Sequence, residues 1–183
     1  MGLFHSNKEK HLWFLALLVV AVIFSSLFLG LPFLELLANQ NIQAALFVAG
    51  MLLTAILIIY DGTRNKAGNK LFGVYLGLVA VYLMLFLRLG LAERSHLIEY
   101  SVLAIFVFRA LTERYKNNSK PLKSALLAFL ITCIIGGIDE MLQLFLPNRV
   151  FDTEDIIFNC FAALAAISSS LFLRWARKKF KKT

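Results

Sequence analysis

Charge is scarce in this chain of 183 residues. Only 16% of its residues are charged and 60% are hydrophobic, whereas a soluble globular domain is about one quarter charged and roughly half apolar. The mean hydropathy is +0.75. This composition excludes an ordinary soluble domain and predicts an integral membrane protein.

Cysteine is also rare, and the common catalytic motifs are missing. The two cysteines, Cys133 and Cys160, both lie in apolar segments, where they are interpreted as small core residues rather than as a disulfide or a metal site. The sequence contains no glycine-rich phosphate loop, no nucleophile elbow and no zinc-protease motif. We therefore expect no cofactor.

Long apolar segments follow one another along the chain. A membrane-spanning helix needs about 20 apolar residues. Six segments reach or approach that length: His11–Leu31, Ile42–Tyr60, Leu71–Leu89, His96–Leu111, Leu122–Leu146 and Asp155–Trp175. The sequence predicts an all-α polytopic helix bundle with about six transmembrane helices. It forms one domain over residues 1–183, with three helices in 1–87 and a basic tail at 176–183.

The basic residues are concentrated on one predicted side of the membrane. The two terminal tails, the 61–70 loop and the 109–123 region carry 16 of the 19 Lys and Arg residues, and the opposite side carries eight of the 11 acidic residues. Short loops rich in Lys and Arg stay in the cytoplasm, so both termini are predicted to be cytoplasmic. Membrane topology thus accounts for the net charge of +8, and no nucleic-acid partner is expected.

A first polar patch, residues 93–100, interrupts the apolar pattern on the outer side. Glu93, His96 and Tyr100 are spaced i, i+3, i+7 and share one helix face, with Glu99 on the adjoining stripe. His96 could act as a general base or bind a headgroup. Alternatively, it could simply form hydrogen bonds with water or Glu99 at the membrane interface.

A second polar patch covers residues 137–159. Glu140 and Gln143 share a helix face just after two glycines, which permit close approach of helices. Glu140 is interpreted either as a ligand-binding residue or as one half of a structural pair with Arg149. Asp152 is predicted to cap the next helix, and Asn159 should face protein or water, because an amide in lipid would have no partner.

The two patches together predict one extracytoplasmic polar pocket formed by three consecutive helices. Its candidate ligand-binding residues are His96, Glu99, Tyr100, Glu140, Gln143, Arg149, Asp155 and Asn159. The candidate catalytic residues are His96 and Glu140. The spacing Glu93-x-x-His96 is half of a di-metal carboxylate motif, but the next helix offers Glu140-x-x-Gln143 instead. No metal ligand is therefore predicted.

The same residues resemble a known family, the VanZ-like bacterial membrane proteins. The resemblance covers residues 88–170 and rests on Glu93-Arg-x-His96-x-x-Glu99-Tyr100 and on Glu140-x-x-Gln143, followed by Arg149, Asp155 and Asn159. Many members carry Asp-Lys where this chain has Ala92 and Glu93, so a role of that pair does not carry over. The resemblance implies a multi-pass protein of the bacterial cytoplasmic membrane, with a VanZ-like core at 88–175.

Three functions remain open from the sequence. The pocket could bind a lipid headgroup or cell-envelope precursor, with a role in envelope modulation like the glycopeptide resistance of the family's founding member. It could instead belong to an intramembrane enzyme acting on such a lipid. The chain could also be a small accessory subunit of a larger membrane complex, in which the polar residues hold helices together. Membrane lipids are the expected partners in each case.

Overall fold

The computed structural model describes residues 4–38, 42, 69–88, 91–116, 121–146 and 149–180. Five helices follow in order: α1 (Asn7–Ala38), α2 (Asn69–Arg88), α3 (Leu91–Arg114), α4 (Pro121–Gln143) and α5 (Thr153–Phe180). Within these ranges there is no β-strand. The predicted all-α class is confirmed.

Four of the helices contain stretches long and apolar enough to cross a membrane: Asn7–Leu27, Ser95–Arg114, Pro121–Gln143 and Thr153–Phe180. The apolar stretch of α2, Leu71–Leu85, is shorter. Of the predicted second span, 42–60, all but the first residue lies outside the described residues. The count of six spans and the cytoplasmic termini therefore stay predictions.

The helices begin and end where the local sequence satisfies their backbone groups. Before α1, Ser6 accepts the backbone N–H of Glu9 at 3.0 Å. Before α5, the Asp152 carboxylate accepts the backbone N–H of Glu154 at 2.8 Å, which confirms its predicted role as an N-cap. At the other end, α5 continues to Phe180, because three basic residues in its last turn favour the negative end of the helix dipole.

Two compact units divide the chain. The first comprises Met1–Phe28 and Ala92–Ser168, and the second comprises Leu29–Leu91 and Ser169–Thr183. In the second unit, the hydroxyls of Tyr82 and Ser169 lie 3.5 Å apart, and Arg177 Nε donates to the hydroxyl of Tyr75 at 2.8 Å. These contacts join α2 to the last part of α5.

The core of the first unit combines a large apolar stripe with small residues. On α3 the buried residues recur with helical spacing, and they include Tyr100, Leu103, Val107 and Phe108. On α4 and α5 the buried apolar residues are mostly alanines: Ala125, Ala128, Ala162, Ala163 and Ala166. Such small residues let helix backbones approach closely. Accordingly, the Ser101 hydroxyl on α3 reaches the α5 carbonyl of Ala162 at 3.3 Å.

The outer surface of the first unit is strongly apolar. Phe14, Ile134 and Ile157 are 62%, 61% and 70% exposed, and further large apolar side chains on α1, α4 and α5 are similarly exposed. So many exposed large apolar side chains are unusual for a soluble monomer. It is the surface expected of helices whose solvent is the lipid hydrocarbon.

Candidate functional site

Seven polar side chains meet where α3 and α5 begin and α4 ends. This polar cluster consists of His96, Tyr100, Asp139, Glu140, Gln143, Asp155 and Asn159. All belong to the first unit. At the other end of the same helices, the Lys123 ammonium lies 5.2 Å from the centre of the Tyr115 ring. The end of α3 therefore packs against the start of α4, so α3 and α4 are antiparallel.

Tyr100 links α3 to α4 inside the cluster. Its ring is fully buried, and its hydroxyl donates to Asp139 Oδ2 at 2.9 Å. The ring also stacks on the imidazole of His96, with centroids 6.0 Å apart. The other carboxylate oxygen, Asp139 Oδ1, has no hydrogen-bond partner among the described residues.

Glu140 is held by donors from its own helix and from the following loop. Gln143 Nε2 donates to Oε1 at 2.8 Å, and the backbone N–H of Asp152 donates to Oε2 at 3.4 Å. The side chain is fully buried. These bonds fix the carboxylate at the end of α4, and each oxygen keeps lone pairs that can accept a further bond.

His96 lies between α3 and α5. Its Nε2 is 3.9 Å from Asp155 Oδ2, while its buried Nδ1 has no hydrogen-bond partner in the described part of the chain. This separation is within ion-pair distance but longer than a hydrogen bond. One ring nitrogen thus faces a carboxylate on α5, and the other has no partner among the described residues and is available to a ligand or a proton.

Asn159 and Gly136 lie at a close approach of α4 and α5. A Cβ placed on Gly136 would lie 3.0 Å from Asn159 Cβ and 3.2 Å from Tyr100 Cε1. The neighbouring Gly137 has no such contact within 4 Å. Asn159 is fully buried, yet neither amide atom has a hydrogen-bond partner within the described ranges. A buried polar group without a partner is unfavourable, so this amide calls for an additional group.

Arg149 lies next to α1 rather than inside the cluster. Its Nη2 donates to the α1 carbonyl of Ser26 at 3.2 Å. Among the described residues, no ion pair within 4.0 Å joins Arg149 to Glu140, the structural pairing considered from the sequence. Glu99 is half-buried and close enough to Arg149 and Asp139 to interact electrostatically with both.

The structure thus brings together six of the eight candidates: His96, Tyr100, Glu140, Gln143, Asp155 and Asn159. It places Arg149 and Glu99 beside them. Glu93 lies in α3, but its side chain is outside the described part. The sequence placed Asp139 in the second polar patch but not among the candidate ligand-binding residues, although its spacing of i+3 from Gly136 and i−4 from Gln143 puts it on their helix face. The contact with Ser26 had no signal in the sequence.

A set of potential metal ligands also emerges from packing. His96, Asp139 and Glu140 each offer one donor atom, and the three atoms lie within 4.8 Å of one another. Helical spacing within either polar patch could not predict these three ligands together, because one of them lies on α3 and the other two are adjacent residues of α4. Helical spacing pairs residues three or four apart, not neighbours.

The fold and the cluster define a class: an all-α membrane protein with a buried polar cluster between three consecutive helices. Comparison with known proteins then gives the family. The family model described as VanZ/LLP1 matches residues 12–174, so the chain belongs to this family. The match extends beyond the region 88–170 from which the resemblance was recognised. No curated protein and no solved structure matches the chain.

Proposed function

We propose that this VanZ-family membrane protein binds the polar headgroup of a lipid or a lipid-linked cell-envelope precursor at the polar cluster. The observation that supports the proposal is the fully buried amide of Asn159, which has no hydrogen-bond partner among the described residues. Asp139 Oδ1 and His96 Nδ1 in the same cluster are also buried and likewise have no partner within the described ranges. In an apolar protein, such groups are unfavourable unless a bound polar group supplies their hydrogen bonds.

Lipid is favoured over a soluble ligand by the surroundings of the cluster. Large apolar side chains lie next to it at the end of α4 and the start of α5. Met141, Phe145, Val150 and Ile157 are between 58% and 83% exposed. A ligand that placed its headgroup on the cluster could therefore lay its hydrocarbon chains on this adjacent apolar surface.

Arg149 supplies positive charge to the proposed site. A guanidinium has five N–H donors, and one of them is directed to Ser26. The others suit a phosphate or carboxylate, which a guanidinium can bind through two parallel hydrogen bonds. The strong bias of basic residues leads us to propose that the site faces outward from the bacterial cytoplasmic membrane, where it would modulate the cell envelope.

Native mass spectrometry of the protein extracted with its own lipids tests this proposal. We expect a specific lipid to remain bound to the wild type and to be lost from Arg149→Ala and Asn159→Ala. The matched control is Arg109→Ala, which removes an exposed arginine from the opposite half of α3. If the wild type retains only bulk lipid, or if the control loses the lipid equally, the proposal is wrong.

One observation favours a second candidate function, an intramembrane enzyme acting on a lipid-linked substrate. His96 and Asp155 form a histidine–carboxylate pair with the second imidazole nitrogen available, as a general base requires. Glu140 is the other candidate for proton transfer. Product formation that disappears in His96→Ala and Glu140→Gln would support catalysis. Lipid binding without turnover would support the binding function alone.

A further inference from the structure

Three side chains in the polar cluster have the chemistry and proximity of a metal-binding set. One imidazole and two carboxylates, from His96, Asp139 and Glu140, place donor atoms within 4.8 Å of one another. Asp139 and Glu140 are buried, and the side chain of His96 is only 13% exposed. Two carboxylates this close inside an apolar protein repel each other when both are ionised, and a cation between them removes that repulsion.

The supporting contacts match those that metal ligands need. A metal-bound histidine usually donates its other ring N–H to a carboxylate. Here the Asp155 carboxylate faces His96 Nε2 at 3.9 Å, an ion-pair distance that a small shift would turn into a hydrogen bond, while Nδ1 has no partner in the described part of the chain. Asp139 likewise receives the Tyr100 hydroxyl on Oδ2 and leaves Oδ1 available. His96 and Asp139 therefore each have one atom facing a neighbour and another that can bind a cation, while each oxygen of Glu140 accepts one hydrogen bond and keeps lone pairs for a cation.

A second, independent observation is the fully buried amide of Asn159. It packs against Gly136, which precedes Asp139 and Glu140 by three and four residues and so lies on their face of α4. Neither amide atom has a partner among the described residues. An amide oxygen can ligate a cation directly, and an amide N–H₂ can orient a metal-bound water or phosphate.

We infer that His96, Asp139 and Glu140 bind a divalent transition-metal ion, with Asn159 beside its remaining coordination position. An imidazole with two carboxylates favours Zn²⁺ or Mn²⁺, since Mg²⁺ and Ca²⁺ prefer oxygen ligands alone. Tetrahedral Zn²⁺ with bonds of about 2.1 Å holds its ligand atoms about 3.4 Å apart. The three donor atoms would therefore draw together by up to about 1.4 Å around the ion.

The ion would also account for the charge of the site, a point that rests on the proposed headgroup binding. Among the described side chains, the cluster and its immediate neighbours carry five acids (Glu99, Asp139, Glu140, Asp152 and Asp155) and one permanent cation, Arg149. Without another cation, these acids would repel a phosphate. A bound divalent ion offsets two of the negative charges and can bridge the carboxylates to an anionic headgroup.

Metal binding is measured on protein purified in detergent without a polyhistidine tag and stripped with EDTA. Isothermal titration with Zn²⁺, Mn²⁺ and Mg²⁺ should show one site, with Zn²⁺ or Mn²⁺ bound at least tenfold more tightly than Mg²⁺. We expect His96→Ala, Asp139→Asn and Glu140→Gln each to weaken binding at least tenfold. Asp155→Asn should also weaken it about tenfold, because losing an outer partner has this effect on metal sites.

The matched controls are His11→Ala and Glu154→Gln, which remove an exposed histidine and an exposed acid outside the cluster. Circular dichroism establishes that each variant is folded. As a readout independent of affinity, X-ray absorption of the Zn²⁺-loaded wild type should show one nitrogen ligand among oxygens. Absence of stoichiometric binding, or binding weakened as much in the controls as in the ligand variants, overturns the inference.

Lipid retention measured with and without EDTA separates this inference from the proposed function. Zn²⁺ binding without any specific lipid would keep the metal site and reject headgroup binding. Lipid retention that survives complete metal removal would reject the bridging role of the ion. Loss of the lipid with EDTA and its recovery with Zn²⁺ would support both.

Discussion

The contact between Gly136 on α4 and Asn159 on α5 allows a quantitative test of the packing around the polar cluster. In Gly136→Ala, the new methyl group would lie 3.0 Å from Asn159 Cβ and 3.2 Å from Tyr100 Cε1. Ordinary contacts at such a position are 3.4–4 Å, so a neighbour must move by a few tenths of an ångström. Asn159 Cβ is attached directly to the α5 backbone, and its movement therefore requires movement of the helix.

Two opposing effects determine the expected change in the unfolding free energy of Gly136→Ala. Overpacking of a close contact destabilises a protein by about 1–3 kcal/mol. Replacing glycine by alanine inside a helix stabilises it by about 1 kcal/mol. The control variant Gly137→Ala has the same helical gain, but its Cβ meets no atom within 4 Å. The difference in unfolding free energy between the two variants isolates the steric effect. We expect Gly136→Ala to be less stable than Gly137→Ala by about 1–3 kcal/mol.

The assay is reversible unfolding by sodium dodecyl sulfate in mixed micelles, followed by circular dichroism. A double-mutant cycle with Asn159→Gly, which removes the opposing Cβ, strengthens the test. In that background, the destabilisation by Gly136→Ala should shrink, leaving the contact with Tyr100. Equal unfolding free energies for Gly136→Ala and Gly137→Ala would refute the close helix approach described here.

Three further predictions concern single contacts and use the same unfolding assay. Tyr100→Phe should destabilise by about 1–3 kcal/mol, because it leaves a buried carboxylate without its donor; a change within about 0.3 kcal/mol would contradict this. Arg114→Ala should destabilise by a similar amount, because the guanidinium faces the buried Glu9 at 3.5 Å. The control Lys116→Ala removes an exposed ammonium from its pair with Glu113 and should change stability by less than about 0.5 kcal/mol. Asp152→Ala should lower stability by about 1 kcal/mol through loss of the α5 cap, and full retention of stability would reject that role.

Local sequence patterns predicted the helices well because their causes are local. Apolar segments of sufficient length indicated α1, α3, α4 and α5, and all four contain stretches able to span a membrane. The Asp152 cap was predicted because a cap depends only on residues adjacent in sequence. Helix limits were less accurate. α5 extends past the predicted end at Trp175, since its basic tail is compatible with the end of a helix.

Six of the seven residues of the polar cluster were among the candidates predicted from the sequence, but their contacts were not predicted. Charge placement and helical spacing indicated which side chains share a helix face, and therefore which ones α3, α4 and α5 could present to each other. They did not indicate that Glu140 binds Gln143 and the Asp152 backbone, or that Arg149 turns to α1. These partners depend on how the helices pack. The spacing of residues within one helix does not indicate how that helix is rotated about its axis, or shifted along it, relative to its neighbour.

The sequence by itself determined the class of the protein, its family and the residues that carry its polar chemistry, because hydropathy, motif order and helical period are properties of the chain. Only the tertiary structure decided that His96 faces Asp155, that Tyr100 binds Asp139, and that Asn159 is buried against Gly136 without a hydrogen-bond partner among the described residues. Each of these contacts joins residues on different helices. Their distances arise from the close packing of α3, α4 and α5 on small residues, which brings three donor atoms from two helices within reach of a single ion.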